Sequence, residues 1–254
     1  MLKLGTNRTI SFGDYYLGLL TFLASNPQEV CLYIKRPEHA FLKEWFPHIK
    51  DIRLENSNFD YDIHLHSEQY KEKSRWSPWG YFINHQVKYN PELFSKLLNI
   101  TGNDIPELKA DTTIFVTDMG SGMSLDYHWI VSILNNLNDK KINWVSSNKY
   151  DRQFGIKNSI NHISLQDLLY NVYTKNIRVI SYRNGLCDFF YTTCDNELHV
   201  IYPSPAKYPT WIKESILNTD KLDLVSDLVK KRKSKTVEYN EESLEDLKKL
   251  LDKI

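Results

Sequence analysis

Short β-rich runs alternate with helical stretches along most of this chain, and no other feature restricts its fold as much. Val30–Ile34 and Ile49–Leu54 are compact runs of the strand kind, Pro37–Phe46 between them reads as helical, and Tyr15–Ala24 ahead of them places apolar residues at helical spacing. Strand, helix, strand is the βαβ unit, which makes neighbouring strands parallel and sets helices on the faces of the sheet. Tyr61–Leu65 is a further strand candidate, Glu68–Tyr89 reads as loop with irregular helix, and Pro91–Leu98 as helix. The rhythm then restarts: Thr113–Thr117 strand, Asp126–Leu137 amphipathic helix, Ile142–Ser146 strand, Leu165–Tyr173 helix, Ile177–Ser181 strand, a helix opening near Gly185, and His199–Tyr202 strand.

Between the two runs, Thr101–Ala110 with Gly102 and Pro106 is the best linker in the chain. The expected organisation is therefore an α/β lobe over residues 1–105, a second over 106–215, and a helical tail over 216–254. Two such halves make a cleft. Open α/β sheets bind ligands outside the carboxyl ends of their strands, so the turns that follow strands are the places to look for chemistry.

Bulk composition removes several alternatives. With 254 residues the chain can bury a core without staples, and 32 basic against 32 acidic residues leave no field to draw it onto nucleic acid. Cys31, Cys187 and Cys194 have no CxxC spacing and fit reduced thiols of a cytosol. No stretch approaches the roughly 20 apolar residues of a membrane span, and the opening residues lack the core of a signal peptide, so the expectation is a cytoplasmic protein. In the tail, the basic run Lys230–Lys235 precedes Ser243–Ile254, whose leucines recur at helical spacing. This is either a solvated helix docked on the body or a peripheral contact with the inner face of the membrane, where each Lys or Arg gains about 1 kcal/mol.

Three turns carry candidate chemistry. Ser11-Phe12-Gly13-Asp14 sets a carboxylate at the start of the Tyr15 helix, where it either takes a proton from an acceptor hydroxyl or caps the helix. In Asp118–Ser124, Gly120 and Gly122 let backbone amides approach a phosphate, and Ser121 and Ser124 add hydroxyls. That loop has neither GxGxxG spacing nor a Walker lysine, which sets aside dinucleotide dehydrogenases and P-loop ATPases; a plain glycine-rich turn is the other reading. In Val179–Asp188 a strand runs into Arg183, Asn184 and Gly185 and then into an apolar helix. Arg183 there either grips a pyrophosphate, aided by the helix start, or pairs with Asp188 or Asp195. Gripping a leaving nucleoside diphosphate in this way needs no metal and no cofactor.

The Ser-Phe-Gly-Asp turn before an apolar helix, the restart strand with its Gly/Ser loop, Leu-Gln-Asp-Leu-Leu, and the Arg-Asn-Gly-Leu-Cys-Asp turn together resemble the heptosyltransferase-like glycosyltransferases of bacterial envelope synthesis, over roughly residues 1 to 205. The resemblance implies a compact GT-B-like fold, two Rossmann-like lobes with parallel sheets facing across a cleft. It also implies a nucleotide-sugar donor on the second lobe and a glycan or lipid-linked glycan acceptor on the first, in polysaccharide biosynthesis. By resemblance Asp14 is the catalytic base, with Gly13 beside it on the acceptor side. Gly120, Ser121, Gly122 and Ser124 form the donor's phosphate loop, and Arg183, Asn184, Gly185 and Asp188 the donor turn. Those enzymes carry a histidine in that turn, and here an arginine stands instead.

Other residues keep two readings. Arg75, Trp76, Trp79 and Tyr81 either stack on an acceptor sugar or anchor a loop. His128 either reaches the donor or packs; His64 and His66 share a strand face, and no third ligand stands at metal spacing. The rival functions are a non-catalytic subunit of the same fold, which binds a sugar nucleotide or a partner transferase, and a nucleotide-sugar epimerase.

Overall fold

The computed structural model describes residues 1–6, 10–57, 59–65, 86–88, 90–116, 142–145, 163–202, 227, 231–232, 234–239 and 244–253. The chain divides into two compact units, and it passes from the first to the second at Gly102–Asn103.

Unit 1 holds an all-parallel sheet in the order β3-β2-β1-β4, built from β1 (Leu2–Gly5), β2 (Val30–Ile34), β3 (Ile49–Leu54) and β4 (Ile63–His64). Every residue of β2 is buried, as a strand covered on both faces must be. Helix α1 (Phe12–Ser25) joins β1 to β2 and buries Tyr15, Tyr16, Leu17, Leu19, Leu20 and Leu23, each worth about 1.5–3 kcal/mol of transfer free energy. It ends at Asn26, whose N–H donates to the Phe22 carbonyl at 2.8 Å. The expected helix over Pro37–Phe46 is a 3₁₀ turn (Pro37–His39) followed by the one-turn α2 (Leu42–Trp45). Helix α3 (Pro91–Leu97) opens on Asn90, whose Oδ1 accepts from the Glu92 and Leu93 amides, and packs on α1. Trp45 Nε1 donates to the Thr101 carbonyl at 2.7 Å and ties the end of the unit down.

Unit 2 holds a five-stranded parallel sheet in the order β6-β5-β7-β8-β9, from β5 (Thr113–Val116), β6 (Ile142–Val145), β7 (Arg178–Tyr182), β8 (Leu198–Ile201) and β9 (Thr236–Tyr239). Helix α4 (Leu165–Lys175) is capped by Ser164 and stops at Asn176, which turns left-handed at φ 53. Asn171 and Lys175 on it hold the segment after Gly102: Asn171 Oδ1 accepts from Ile105 N at 3.0 Å, and Lys175 pairs with Asp104 at 2.6 Å. Helix α5 (Gly185–Thr193) follows β7, and α6 (Leu244–Lys253) docks on β9 with Leu247 buried. Two strands lie where no strand was expected. β1 has only Leu2 and Leu4 to signal it, and β9 lies inside the expected helical tail.

Candidate functional site

Each sheet reverses its strand order once: unit 1 between β1 and β4, unit 2 between β5 and β7. At such a point neighbouring connections leave on opposite faces and open a crevice at the carboxyl ends of the strands. The Asp14 and Arg183 turns both follow strands that border a reversal, β1 and β7.

At the start of α1, Ser11 is the N-cap and Asp14 closes a capping box. The Asp14 carboxylate accepts from the Ser11 hydroxyl at 2.9 Å and from the Ser11 N–H at 3.2 Å, and the Asp14 N–H donates to Ser11 Oγ at 3.4 Å. The carboxylate is half-buried and held in one place, and Gly13 beside it is buried. Beneath it lies an aromatic bed: Phe12 against Tyr16, Phe41 and Trp45 at centroid distances of 5.6, 5.8 and 6.3 Å. His39 is wedged edge-on against Tyr15 at 5.3 Å and is only 2% exposed. Burial, with the charge of Arg36 adding to it and Glu38 opposing, pushes the His39 pKa down to about 4.

The turn between β7 and α5 is folded inward. Arg183 and Asp188, 7% and 6% exposed, form an ion pair with Nη2 2.7 Å from Oδ1. Burial is the largest influence and works against the guanidinium's charge, but the Asp188 carboxylate together with Cys187, Tyr202 and Tyr191 outweighs it and holds the Arg183 pKa above its ordinary value. Asn184 caps α5, its Oδ1 accepting from the Leu186 and Cys187 amides at 2.8 and 3.3 Å. Of the two readings of Arg183, the pairing with Asp188 is present, with the guanidinium buried beside that carboxylate. Arg183 Nη1 also donates to the Asn184 carbonyl. No peptide bond is cis among the described residues, so that carbonyl's inward aim turns the Gly185 N–H the opposite way. Gly185 is half-exposed, and its N–H is the amide of the first turn that no side chain caps among the described residues.

Three residues of the tail's basic run, Lys231, Arg232 and Lys235, form a clasp. Lys231 and Lys235 pair with Asp195 at 3.3 and 2.9 Å. Arg232 is wholly buried, gives two 2.9 Å bonds to the Cys194 and Asn196 carbonyls just past the end of α5, and lies over the Tyr191 ring. Sequence reading missed Arg232 and also His39. No pattern in the sequence signalled Arg232, because the Thr236–Tyr239 strand that begins four residues after it is too short to show a period.

His64 ends β4 with its ring edge-on to Tyr61 at 5.4 Å. Its expected companion His66 lies outside the described residues, as do Arg75, Trp76, Trp79, Tyr81, Gly120, Ser121, Gly122, Ser124 and His128. No helix among the described residues is long and apolar enough to cross a membrane.

Fold and turns define an α/β protein of two Rossmann-like units, each bearing a motif turn at the carboxyl end of a parallel strand. The chain is similar to the E. coli heptosyltransferase WaaC solved with ADP, at 14% identity and TM-score 0.43, over 80% of this chain and 88% of that chain. It is similar also to WaaC with ADP-2-deoxy-2-fluoro heptose, at 13% identity and TM-score 0.44, over 82% and 90%. No protein-family model and no curated protein matches it.

Proposed function

We propose that the chain is a glycosyltransferase that moves a sugar from a nucleotide donor to a cell-surface glycan or lipid-linked glycan, with inversion and without a metal. The observation that carries the reading is the β7–α5 turn beside the strand-order reversal, where the buried guanidinium and the Cys187 N–H both hold the Asn184 carbonyl, which turns the Gly185 N–H away from them. In this reading the donor's diphosphate accepts from that amide at the positive end of α5. Arg183, Asn184 and Asp188 are the frame of the turn, and Gly120, Ser121, Gly122 and Ser124 contribute the second set of phosphate donors. Asp14 receives the proton of the acceptor hydroxyl as its oxygen bonds to the anomeric carbon. The carbon–oxygen bond to the diphosphate breaks in the same step, and its electron pair leaves with the diphosphate. Gly13, Arg75 and Trp79 serve the acceptor. A peripheral contact with the inner face of the membrane is part of the same proposal, with Lys231, Arg232 and Lys235 also engaged with the turn at Cys194–Asn196.

A second reading, a subunit that binds the sugar nucleotide without turning it over, is favoured by the capping box that already occupies Asp14. Thermal melting with ADP, UDP, GDP, CDP and dTDP and their sugars, followed by an assay for diphosphate release with a glycan acceptor extract, separates the two. A matching nucleotide at about 100 times its dissociation constant adds about 2.7 kcal/mol, a rise in Tm of about 5–10 °C. Release of diphosphate upholds the transferase; a shift without release leaves the binding subunit; no shift with any nucleotide ends both.

A further inference from the structure

The chain first passes between its units at Gly102–Asn103, and hydrogen bonds hold it on both sides of that point. On the unit 1 side the buried Trp45 engages two groups. Its carbonyl accepts from Asn99 N at 2.7 Å, and its Nε1 donates to the Thr101 carbonyl at 2.7 Å. The Thr101 hydroxyl donates to Glu44 Oε2 at 3.4 Å. On the unit 2 side Asp167 Oδ1 accepts from Asn103 N at 2.6 Å, a charge-assisted bond, and the buried Asn171 donates to the Asn103 carbonyl at 2.9 Å. Gly102 between them makes no hydrogen bond among the described residues.

Peptide planarity turns this pattern into a constraint on torsions. The Thr101 carbonyl and the Gly102 N–H belong to one rigid plane, and the Gly102 carbonyl and the Asn103 N–H to the next. Trp45 pins the first plane to unit 1, and Asp167 pins the second to unit 2. Between the two pins only φ and ψ of Gly102 are left unheld. Glycine has the widest range of both, since it enters positive φ as readily as negative. Two units of one chain commonly reorient, and a hinge is the few residues that absorb the change in φ and ψ. We infer that the first crossover is a two-torsion joint, with Gly102 as its pivot and the Trp45–Thr101 and Asp167–Asn103 bonds as its collars. Asn103–Ile105 therefore moves as part of unit 2, although Thr101–Ala110 reads as one linker in the sequence. The later crossings, at the two ends of Ile216–Lys230, are separate links. The joint does not depend on the glycosyltransferase reading.

Double electron–electron resonance on the full chain tests it, with spin labels on Lys50→Cys in unit 1 and Lys249→Cys in unit 2, both exposed positions. Cys31, Cys187 and Cys194 are buried and stay unlabelled. A pair within unit 1, Lys50→Cys with the exposed Lys96→Cys, gives the width of a distance distribution when no joint intervenes. The cross-unit distribution of the parent should be broader than that reference. Gly102→Ala should narrow it by up to about twofold, because alanine gives up the positive half of φ, and Gly102→Pro, with φ locked, should narrow it further. Asp167→Ala frees φ of Asn103 as well and should broaden it, while Ser164 still begins α4. Glu107→Ala, exposed and beyond the collar, should change nothing, and circular dichroism checks that every variant keeps the parent's fold. A cross-unit width equal to the reference would overturn the inference. So would an unchanged width in both Gly102 variants or in Asp167→Ala, or a Glu107→Ala effect equal to that of Gly102→Ala.

Discussion

At Asp14 one carboxylate meets two demands. It closes the capping box of α1, and the same bonds hold it half-buried where β1 hands over to the helix. Asp14→Asn keeps an oxygen for the Ser11 N–H, so stability should change by less than about 1 kcal/mol. Transfer should fall at least about 100-fold, because the amide takes no proton. Parallel melting and diphosphate-release measurements check both, and full activity in the variant would remove Asp14 as base. His39 makes a separate prediction. Its pKa of about 4 in the folded chain lies below the ordinary 6.5, so the unfolded chain takes up a proton that the folded chain refuses. Stability present above pH 6.5 is therefore lost as pH falls toward 4, by about 3 kcal/mol in all. His39→Phe should flatten the pH dependence of the urea midpoint across that window relative to the parent.

The β7–α5 turn and the clasp at the end of α5 show how elements depend on buried charge. Arg183→Met leaves Asp188 charged and buried and should cost about 3–5 kcal/mol, and adding Asp188→Leu should recover part of it. Chemical denaturation of the two variants measures the difference. Arg232→Met strips the Cys194 and Asn196 carbonyls of their donor and should cost about 3 kcal/mol, whereas Lys231→Ala, in a solvent-screened pair, should stay within about 1 kcal/mol. Most element positions were legible in the sequence: Val30–Ile34 and Ile49–Leu54 form strands at the expected residues, and Leu165–Lys175 extends the expected Leu165–Tyr173 by two. β1 and β9 were not, because four residues with two apolar side chains give no period to read, and pairing to a neighbour is what makes them strands.

At the scale of the whole molecule, the two parallel sheets set the order in which the chain opens. Among the described residues β1, β2, β5, β7 and β8 have a neighbour on each side, while β3, β4, β6 and β9 are edges. Native-state hydrogen exchange should find the slowest amides in β2 and β7, with β4 and β9 exchanging sooner. Equal protection of edge and centre would contradict the sheet order.

The sequence by itself determined the α/β class, the parallel strands and the positions of the Asp14 and Arg183 turns, because periodicity, caps and βαβ connection are local properties of the chain. Only the tertiary structure decided that Arg183 faces Asp188 and that Arg232 is interior. Whether a charged or polar side chain turns to solvent or to a buried partner depends on which distant segments crowd it, and pattern along the chain does not carry that information.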